Sequence, residues 1–342
     1  MKIKIAIVIL NWNGVTYLKK FLPSVIKYSK SEDIEIIVAD NGSADNSVSV
    51  LENDFSEVKL ILFDKNYGFT GGYNKALQQI DATYFVLLNS DVEVTENWIS
   101  PIIEMMDSDN TIASAMPKIL AYNNKKQFEY AGASGGYIDK FGYPFCRGRI
   151  LDKTEEDKGQ YDDVKDTFWA SGAAMFVRAD LYKQFGGLDN DFFAHMEEID
   201  LCWRFKNAGY RVVINPECVV YHVGGGTLPN NNPHKIFLNY RNNLLLLLKN
   251  LPRHKIFPVI FSRLILDGLS GIVYLVSLKF SFFLAVIKAH FSFYLQIRRT
   301  LKKRKNQNFK TINHKEIYQK SIVFSYFLRK KDTFDKLKIL KP

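Results

Sequence analysis

An apolar run from Tyr84 to Leu88 ends in Asn89-Ser90-Asp91; about a hundred residues on, Glu197-Glu198 opens EEIDLCWR, and His222 follows in VVYHVGG (219–225). A buried strand that releases an aspartate at the carboxyl edge of an open α/β sheet places it where such sheets collect ligands. A divalent ion held by Asp91 would meet a phosphate there, with His222 as a further ligand and a glutamate at a helix start as base. The combination points to metal-assisted group transfer. Each residue also has a plainer role: Asp91 as a turn residue, the glutamates as charges at a helix N-terminus, His222 as a core histidine.

Positioning these groups requires an alternating framework, and the sequence supplies one. KIAIVIL (4–10), IEIIVAD (34–40), VKLILF (58–63) and TYFVLLN (83–89) are apolar enough to be strands buried on both faces. Between them, Leu18, Phe21, Leu22, Val25 and Ile26 have helical spacing in 15–28, and 45–53 and 71–80 form the next crossovers. The expected fold is α/β, a Rossmann-like mixed sheet, mostly parallel, with a C-terminal helical extension. From about 112 to 178 the pattern loosens into short strands and glycine-rich turns. An acidic loop spans 152–166, and the whole reads as an insertion lining a substrate groove. A strand over 167–180 and a short helix from Leu181 precede the glutamates.

Beyond the turns GGGT (224–227) and PNNNP (229–233) the chain changes character: a helix over 235–251, a break at Pro252, then an apolar and basic segment from 255 to 297. The predicted units are therefore 1–250 and 251–342. Of the net charge of +10, residues 226–342 carry 23 Lys and Arg against 4 Asp and Glu, which leaves the front 225 residues at −9. A basic, aromatic rear half suits an anionic membrane surface. Its aromatics are interleaved with aliphatics and not spaced as a stacking platform, which argues against nucleic acid. Ile272–Ile287 holds one charge, Lys279, over about 16 residues, short of the roughly 20 that span a bilayer, so it is expected to lie in the interface. Arg298-Arg299 and Lys302-Lys303-Arg304-Lys305 would then pin it to anionic lipid.

Cys146, Cys202 and Cys218 have no CxxC spacing, which argues against a disulfide framework and fits a reducing cytoplasm. The opening apolar stretch, Ile5–Leu10, is too short for a signal peptide and reads as the first strand. The expected location is cytoplasmic, peripheral on the inner face of the membrane.

The ordered set VILNWNG (8–14), VADNGSADNS (38–47), NYGFTGGYN (66–74), LLNSD (87–91), WASGAAMFVR (169–178) and EEIDLCWR (197–204) resembles the family 2 glycosyltransferases, especially the rhamnosyltransferase-like branch that builds bacterial cell-surface glycans. The likeness covers roughly residues 3–250. It implies a GT-A fold and inverting hexosyl or rhamnosyl transfer from a dTDP-, UDP- or GDP-linked sugar to a lipid-linked or polysaccharide acceptor, with Mg2+ or Mn2+. It further implies donor contacts from Asn11, Asp40, Asn66, Gly68, Asn74, Asn89 and Asp91, a metal at Asp91 and His222, and a base at Glu198, with Glu197 as its rival. Two positions depart from the family's pattern. Asn89 replaces the first acid of the DxD motif, and Glu197-Glu198 replaces Glu-Asp, which moves the second carboxyl outward by about one methylene.

Trp169, Ser171 and Gly172 combine an aromatic with small residues, which suits a sugar pocket, although Trp169 serves equally well as core. Asp200 and Arg204, four apart, are expected to pair along their helix. A dinucleotide-dependent oxidoreductase shares the opening βαβ pattern, but NWNG puts Trp12 where a glycine fingerprint must approach a pyrophosphate. The other alternative is an inactive sugar-nucleotide- or membrane-binding module.

Overall fold

The computed structural model describes residues 3–224, 232–307, 309–311 and 313–339. The turn residues 225–231, part of GGGT and PNNNP, lie outside the described residues.

The first half alternates as its apolar runs require: β1 (Ile3–Asn11), α1 (Val15–Tyr28), β2 (Ile34–Asp40), α2 (Ser47–Asp54), β3 (Lys59–Leu62), α3 (Gly68–Gln78), β4 (Ala82–Asn89). There follow β5 (Val92–Val94), α4 (Ser100–Ser108), β6 (Ile112–Ala121), β7 (Asn124–Phe128), β8 (Gly136–Asp139), β9 (Pro144–Cys146), β10 (Arg149–Ile150), β11 (Lys153–Thr154) and β12 (Lys165–Asp166). Next come β13 (Ala174–Arg178), α5 (Ala179–Gln184), α6 (Glu197–Asn207), β14 (Arg211–His222) and α7 (Pro233–Asn250). The chain closes with α8 (Arg253–Val276), α9 (Phe280–Lys305), β15 (Ile317–Tyr318) and α10 (Ile322–Phe327).

The main sheet runs β12-β14-β6-β13-β4-β1-β2-β3, with β5 paired to β14 and β7 to β6. β1 to β4 run parallel, and β13 enters antiparallel between β4 and β6. The result is the expected mixed α/β sheet with a helical C-terminal region. Phe85, Val86, Leu87 and Leu88 of β4 are all buried. At about 1.5–3 kcal/mol for each buried side chain, they fix where the strand ends and hence where Asn89 emerges. Leu18, Phe21, Leu22 and Val25 form the buried stripe of α1.

The structure redraws three segments. Residues 112–121, expected inside the insertion, are strand β6 in the middle of the main sheet. Pro117 and Lys118 interrupt its apolar signal, yet Lys118 is buried and donates to Asp157 at 2.9 Å. The acidic loop straps the body, since Asp157 and Asp162 take Lys118 and Asp163 takes Arg147. Within 167–180 only β13 is a strand, because Ala174 N donates to Ser171 O and turns the chain.

Ile272–Ile287 is not one segment. Leu278, at φ +57°, breaks it into the tip of a helical hairpin, so its length does not measure a span. α8 and α9, of 24 and 26 residues, are each long and apolar enough to cross a membrane by length and composition. The tail also returns to the body: β15 pairs with β8 in a second sheet ordered β11-β10-β9-β8-β15. Asp139 accepts from Ile322 N at 2.9 Å, and Phe334 packs on Tyr137.

Candidate active site

Register brings the strand ends together. Asn11 lies opposite Asp40 and Leu10 opposite Asn89, so β2, β1 and β4 release Asp40, Asn11 and Asn89 at one edge. The Asp40 carboxylate accepts from Ser43 N (2.8 Å), Ser43 Oγ (2.7 Å) and Asn11 Nδ2 (2.9 Å). The VADNGS motif thus folds on itself, and Asp40 is the hub of its turn. The adjacent Asn41 reaches the next loop, donating to Asn66 Oδ1 (3.0 Å) and accepting from Tyr67 N (3.0 Å). Asn66 Oδ1 in turn accepts from Gly68 N at 2.7 Å. Gly68 has φ +73°, and a Cβ there would stand 2.5 Å from the Phe193 ring; only glycine fits the close approach of α3 to the 193 loop.

β5 runs antiparallel to β14 with His222 opposite Val92, which brings the imidazole to Asp91. His222 Nε2 lies 3.1 Å from Asp91 Oδ1, and Nδ1 lies 3.4 Å from Glu129 Oε2. Asn89 Nδ2 stands 3.4 Å from Nε2 on the remaining side. Burial alone would discharge His222, but Glu129 and Asp91 outweigh it and raise its pKa to about 10. Burial would also raise the Asp91 carboxyl, yet the hydrogen bond and charge of His222 hold it below its ordinary value.

Glu197 and Glu198 begin α6 after a strained approach. Phe193, His195 and Met196 all have positive φ, at 65°, 68° and 73°. Asn242, fully buried on α7, holds this loop: Nδ2 donates to the carbonyls of Phe192 (2.9 Å), Ala194 (2.8 Å) and His195 (2.8 Å). Arg241 Nη2 donates to the carbonyls of Asp191 and Phe192, each at 3.0 Å. The helix dipole is expected to favour a charged glutamate, but burial wins. It lifts Glu198 to about 7, and burial with repulsion from Glu198 lifts Glu197 well above the carboxylate range.

The Tyr73 phenol, raised by its burial, also feels Asp91 and Glu197; the Cys146 thiol, raised likewise, feels Glu129 and Glu198. Glu197 Oε2, Glu198 Oε2 and His195 Nε2 are buried without hydrogen-bond partners among the described residues.

The profile of glycosyl transferase family 2 matches residues 6–185, more than half the chain. The chain belongs to glycosyl transferase family 2. The glycosyltransferase is 23% identical over 232 residues to the N-acetylglucosaminyl-diphospho-decaprenol L-rhamnosyltransferase of Mycobacterium tuberculosis, covering 63% of this chain and 75% of that protein. It is 24% identical over 221 residues to the rhamnosyltransferase WbbL of Escherichia coli K12, covering 63% and 82%. Both relatives are named as rhamnosyltransferases. Its fold matches GalNAc-T7, solved with UDP, GalNAc and Mn2+, at a TM-score of 0.55 and 16% identity, covering 72% of this chain but only 48% of that one. It matches S. aureus TarS residues 1–349, solved with UDP, at a TM-score of 0.51 and 14% identity, covering 74% and 68%.

Other motif residues of the glycosyltransferase are committed to the scaffold. Asn74 donates to Leu188 O and Asn190 Oδ1 and accepts from Leu188 N and Tyr182 Oη, so its amide brackets the 188–190 loop. Trp169 is core and not a stacking face: it is 3% exposed, donates from Nε1 to Tyr137 O at 3.0 Å, and lies where any Cβ on Gly136 would collide. Ser171 is buried and accepts from Ala173 N, while Gly172 is half-buried with Phe69 beside it. The Asp200–Arg204 pair forms at 2.9 Å, and Lys249 and Asn250 also bind Asp200.

Glu129, Asn41 and Asn242 escape the sequence. Glu129 follows the short strand β7 and carries no local signature. Asn242 does leave one, since asparagines beside a run of leucines on a buried helix demand specific partners.

Proposed function

We propose that this glycosyltransferase moves a sugar from a nucleotide-diphosphate sugar to a hydroxyl of a lipid-linked or polysaccharide acceptor, with inversion, at the cytoplasmic face of a membrane. The observation that supports the reading is Glu198, half-buried at the start of α6 with an unpartnered oxygen and a carboxyl lifted by burial to about 7, in a fold that separately clusters Asp91, His222 and Glu129.

A general base works best when its pKa is close to the working pH. Glu198 meets that condition, and its raised pKa makes it a stronger base than a surface carboxylate. Glu197 is more deeply buried, and burial and repulsion from Glu198 raise its carboxyl well above the ordinary value, which favours Glu198 as the base. Attack by the acceptor oxygen therefore passes its proton to Glu198. The strained 193–196 backbone, held by Asn242, sets where that carboxyl points.

Asp91 and His222 suit a divalent cation. Their facing atoms are 3.1 Å apart and joined by a hydrogen bond, and both residue types are ordinary ligands of such ions. Among the described residues no group of three His, Cys, Asp or Glu converges to hold an ion. The remaining ligands would come from Asn89 and from phosphate oxygens of the donor, the usual mode for Mg2+ and its analogues. Bound there, the cation supplies charge that offsets the departing diphosphate. Glu129 holds the imidazole, and His222 would have to give up its Nε2 proton to serve as a ligand.

The membrane reading rests on the α8–α9 hairpin. Only 17% and 22% of the most apolar windows of α8 and α9 are buried, and the tip exposes Val276 and Leu278 at 77% and 75%. The basic cluster is less available than its sequence suggests. Arg299 and Lys303 pair with Asp191, Lys303 also with Asp189, and Arg304 donates to Lys249 O at 2.9 Å. Residues 1–250 serve as the catalytic unit and 251–342 as its membrane-facing extension. Deleting that extension would also remove β15, so point changes are the cleaner test. Val276→Asp with Leu278→Asp should abolish sedimentation with anionic vesicles while leaving donor hydrolysis intact; unchanged sedimentation removes the membrane claim. For the chemistry, Glu198→Gln should bind donor and transfer nothing, and turnover at the parent rate would end the base assignment.

A further inference from the structure

On the outer side of α8, the Lys140-Phe141 turn after β8 and helix α10 enclose a cleft of about 610 Å3. That is the size of a small-molecule site. Its lining carries Lys140, Lys320 and Arg329 and no carboxylate, together with Ile265, Leu266 and Phe324. None of the three cations has an ion-pair partner among the described residues. The nearby acids are engaged elsewhere: Asp139 accepts from the backbone of Phe141, Tyr143 and Ile322, and Asp267 pairs with Arg263 at 3.1 Å. The positive field is concentrated, because Lys331 is pushed below its ordinary pKa by burial and then by Lys320, Arg329 and Lys338.

The apolar lining does not end inside the cleft. Ile265 and Phe324 are half exposed, and beyond them Phe327 and Leu328 are 67% and 69% exposed, next to Arg329-Lys330-Lys331. Unpaired cations lining one cleft with exposed apolar side chains match the two parts of a phospholipid, phosphate and acyl chain. A free phosphate would use the cations and leave the apolar lining bare.

We propose that this cleft seats one anionic phospholipid, with its phosphate between Lys140, Lys320 and Arg329 and its upper acyl chain on Ile265, Leu266 and Phe324. The proposal rests on the reading that the enzyme works at a membrane. It adds a discrete, saturable lipid site to a diffuse basic and apolar face.

The test compares the full chain with the triple variant Lys140→Gln/Lys320→Gln/Arg329→Gln and with an equal charge change elsewhere, Arg298→Gln/Lys302→Gln/Lys305→Gln. Each is titrated with monomeric dihexanoyl phosphatidylglycerol, with inorganic phosphate, and with phosphatidylcholine vesicles containing or lacking phosphatidylglycerol. Saturable one-to-one binding of the short-chain lipid is expected for the parent and the control variant. The cleft variant should lose it by on the order of 100-fold, with unchanged melting temperature and donor hydrolysis. Retention of short-chain lipid binding by the cleft variant, its equal loss in the control, or binding of inorganic phosphate as tight as lipid would each overturn the site. If the parent binds anionic vesicles but not the short-chain lipid, the cleft proposal fails and the membrane reading stands. If the parent binds no vesicle at all, the membrane reading fails first.

Discussion

The side-chain amide of Asn242 donates to the carbonyl of His195 at 2.8 Å, which ties helix α7 to the backbone that immediately precedes the glutamate pair. The same amide takes the carbonyls of Phe192 and Ala194, and the loop it holds contains three non-glycine residues at positive φ. Strain of this kind persists only where surrounding contacts over-determine it. Asn242→Ala should therefore lower stability by about 2–4 kcal/mol, from buried carbonyls left unpaired. It should also lower kcat by about 10- to 100-fold, because the base is displaced, with little change in donor KM. Thermal melts and steady-state kinetics check both parts. A normal kcat in a destabilised variant would reduce Asn242 to a purely structural role.

Glu198 must be ionised to accept a proton, and its pKa lies at about 7. Transfer should therefore rise with pH through an acid limb centred near 7 and level off above it. Glu198→Gln should cost about 10²–10⁴ in transfer and abolish that limb in the residual rate. A pH–rate profile of kcat/KM, with donor binding measured separately, provides the check. A limb near 4.5 would point to an exposed carboxylate as the base.

Glu129 contacts His222 from the side opposite Asp91. If it orients the imidazole toward a cation, Glu129→Gln should weaken Mn2+-dependent donor binding by about 10- to 100-fold. Asp91→Asn should remove the Mn2+ dependence altogether. Thermal shift with nucleotide sugars, with and without Mn2+, reads this directly, since ligand binding stabilises the native state by mass action. An undiminished Mn2+ effect in Asp91→Asn would place the ion elsewhere.

Gly68→Ala forces a Cβ to within 2.5 Å of the Phe193 ring at a φ of +73°. The backbone term alone costs about 1–2 kcal/mol. The displaced 66–68 loop should raise donor KM, and the pushed Phe193 should lower kcat. Gly68→Ala paired with Phe193→Ala should recover part of the kcat loss. Kinetics of the two variants side by side decide whether α3 and the 193 loop are coupled.

The repeating strand–helix order, the strand ends at Asp40 and Asn89, and the helix start at Glu197 were legible in the chain. These follow from local signals: continuous apolar runs, helical spacing and turn residues that act over a few positions. Tertiary structure decided what pairs with what. It made Glu129 the second partner of His222, put the Trp169 ring into the core against Gly136, and spent Asn74 on the 188–190 loop. It paired Lys303 with Asp189 and Asp191, and split one apolar run into a hairpin at Leu278. The physical reason is range. A strand or helix is encoded by neighbours in the chain, whereas a pKa, an ion pair or a buried ring depends on groups brought together from distant positions, and no short window of sequence records their approach.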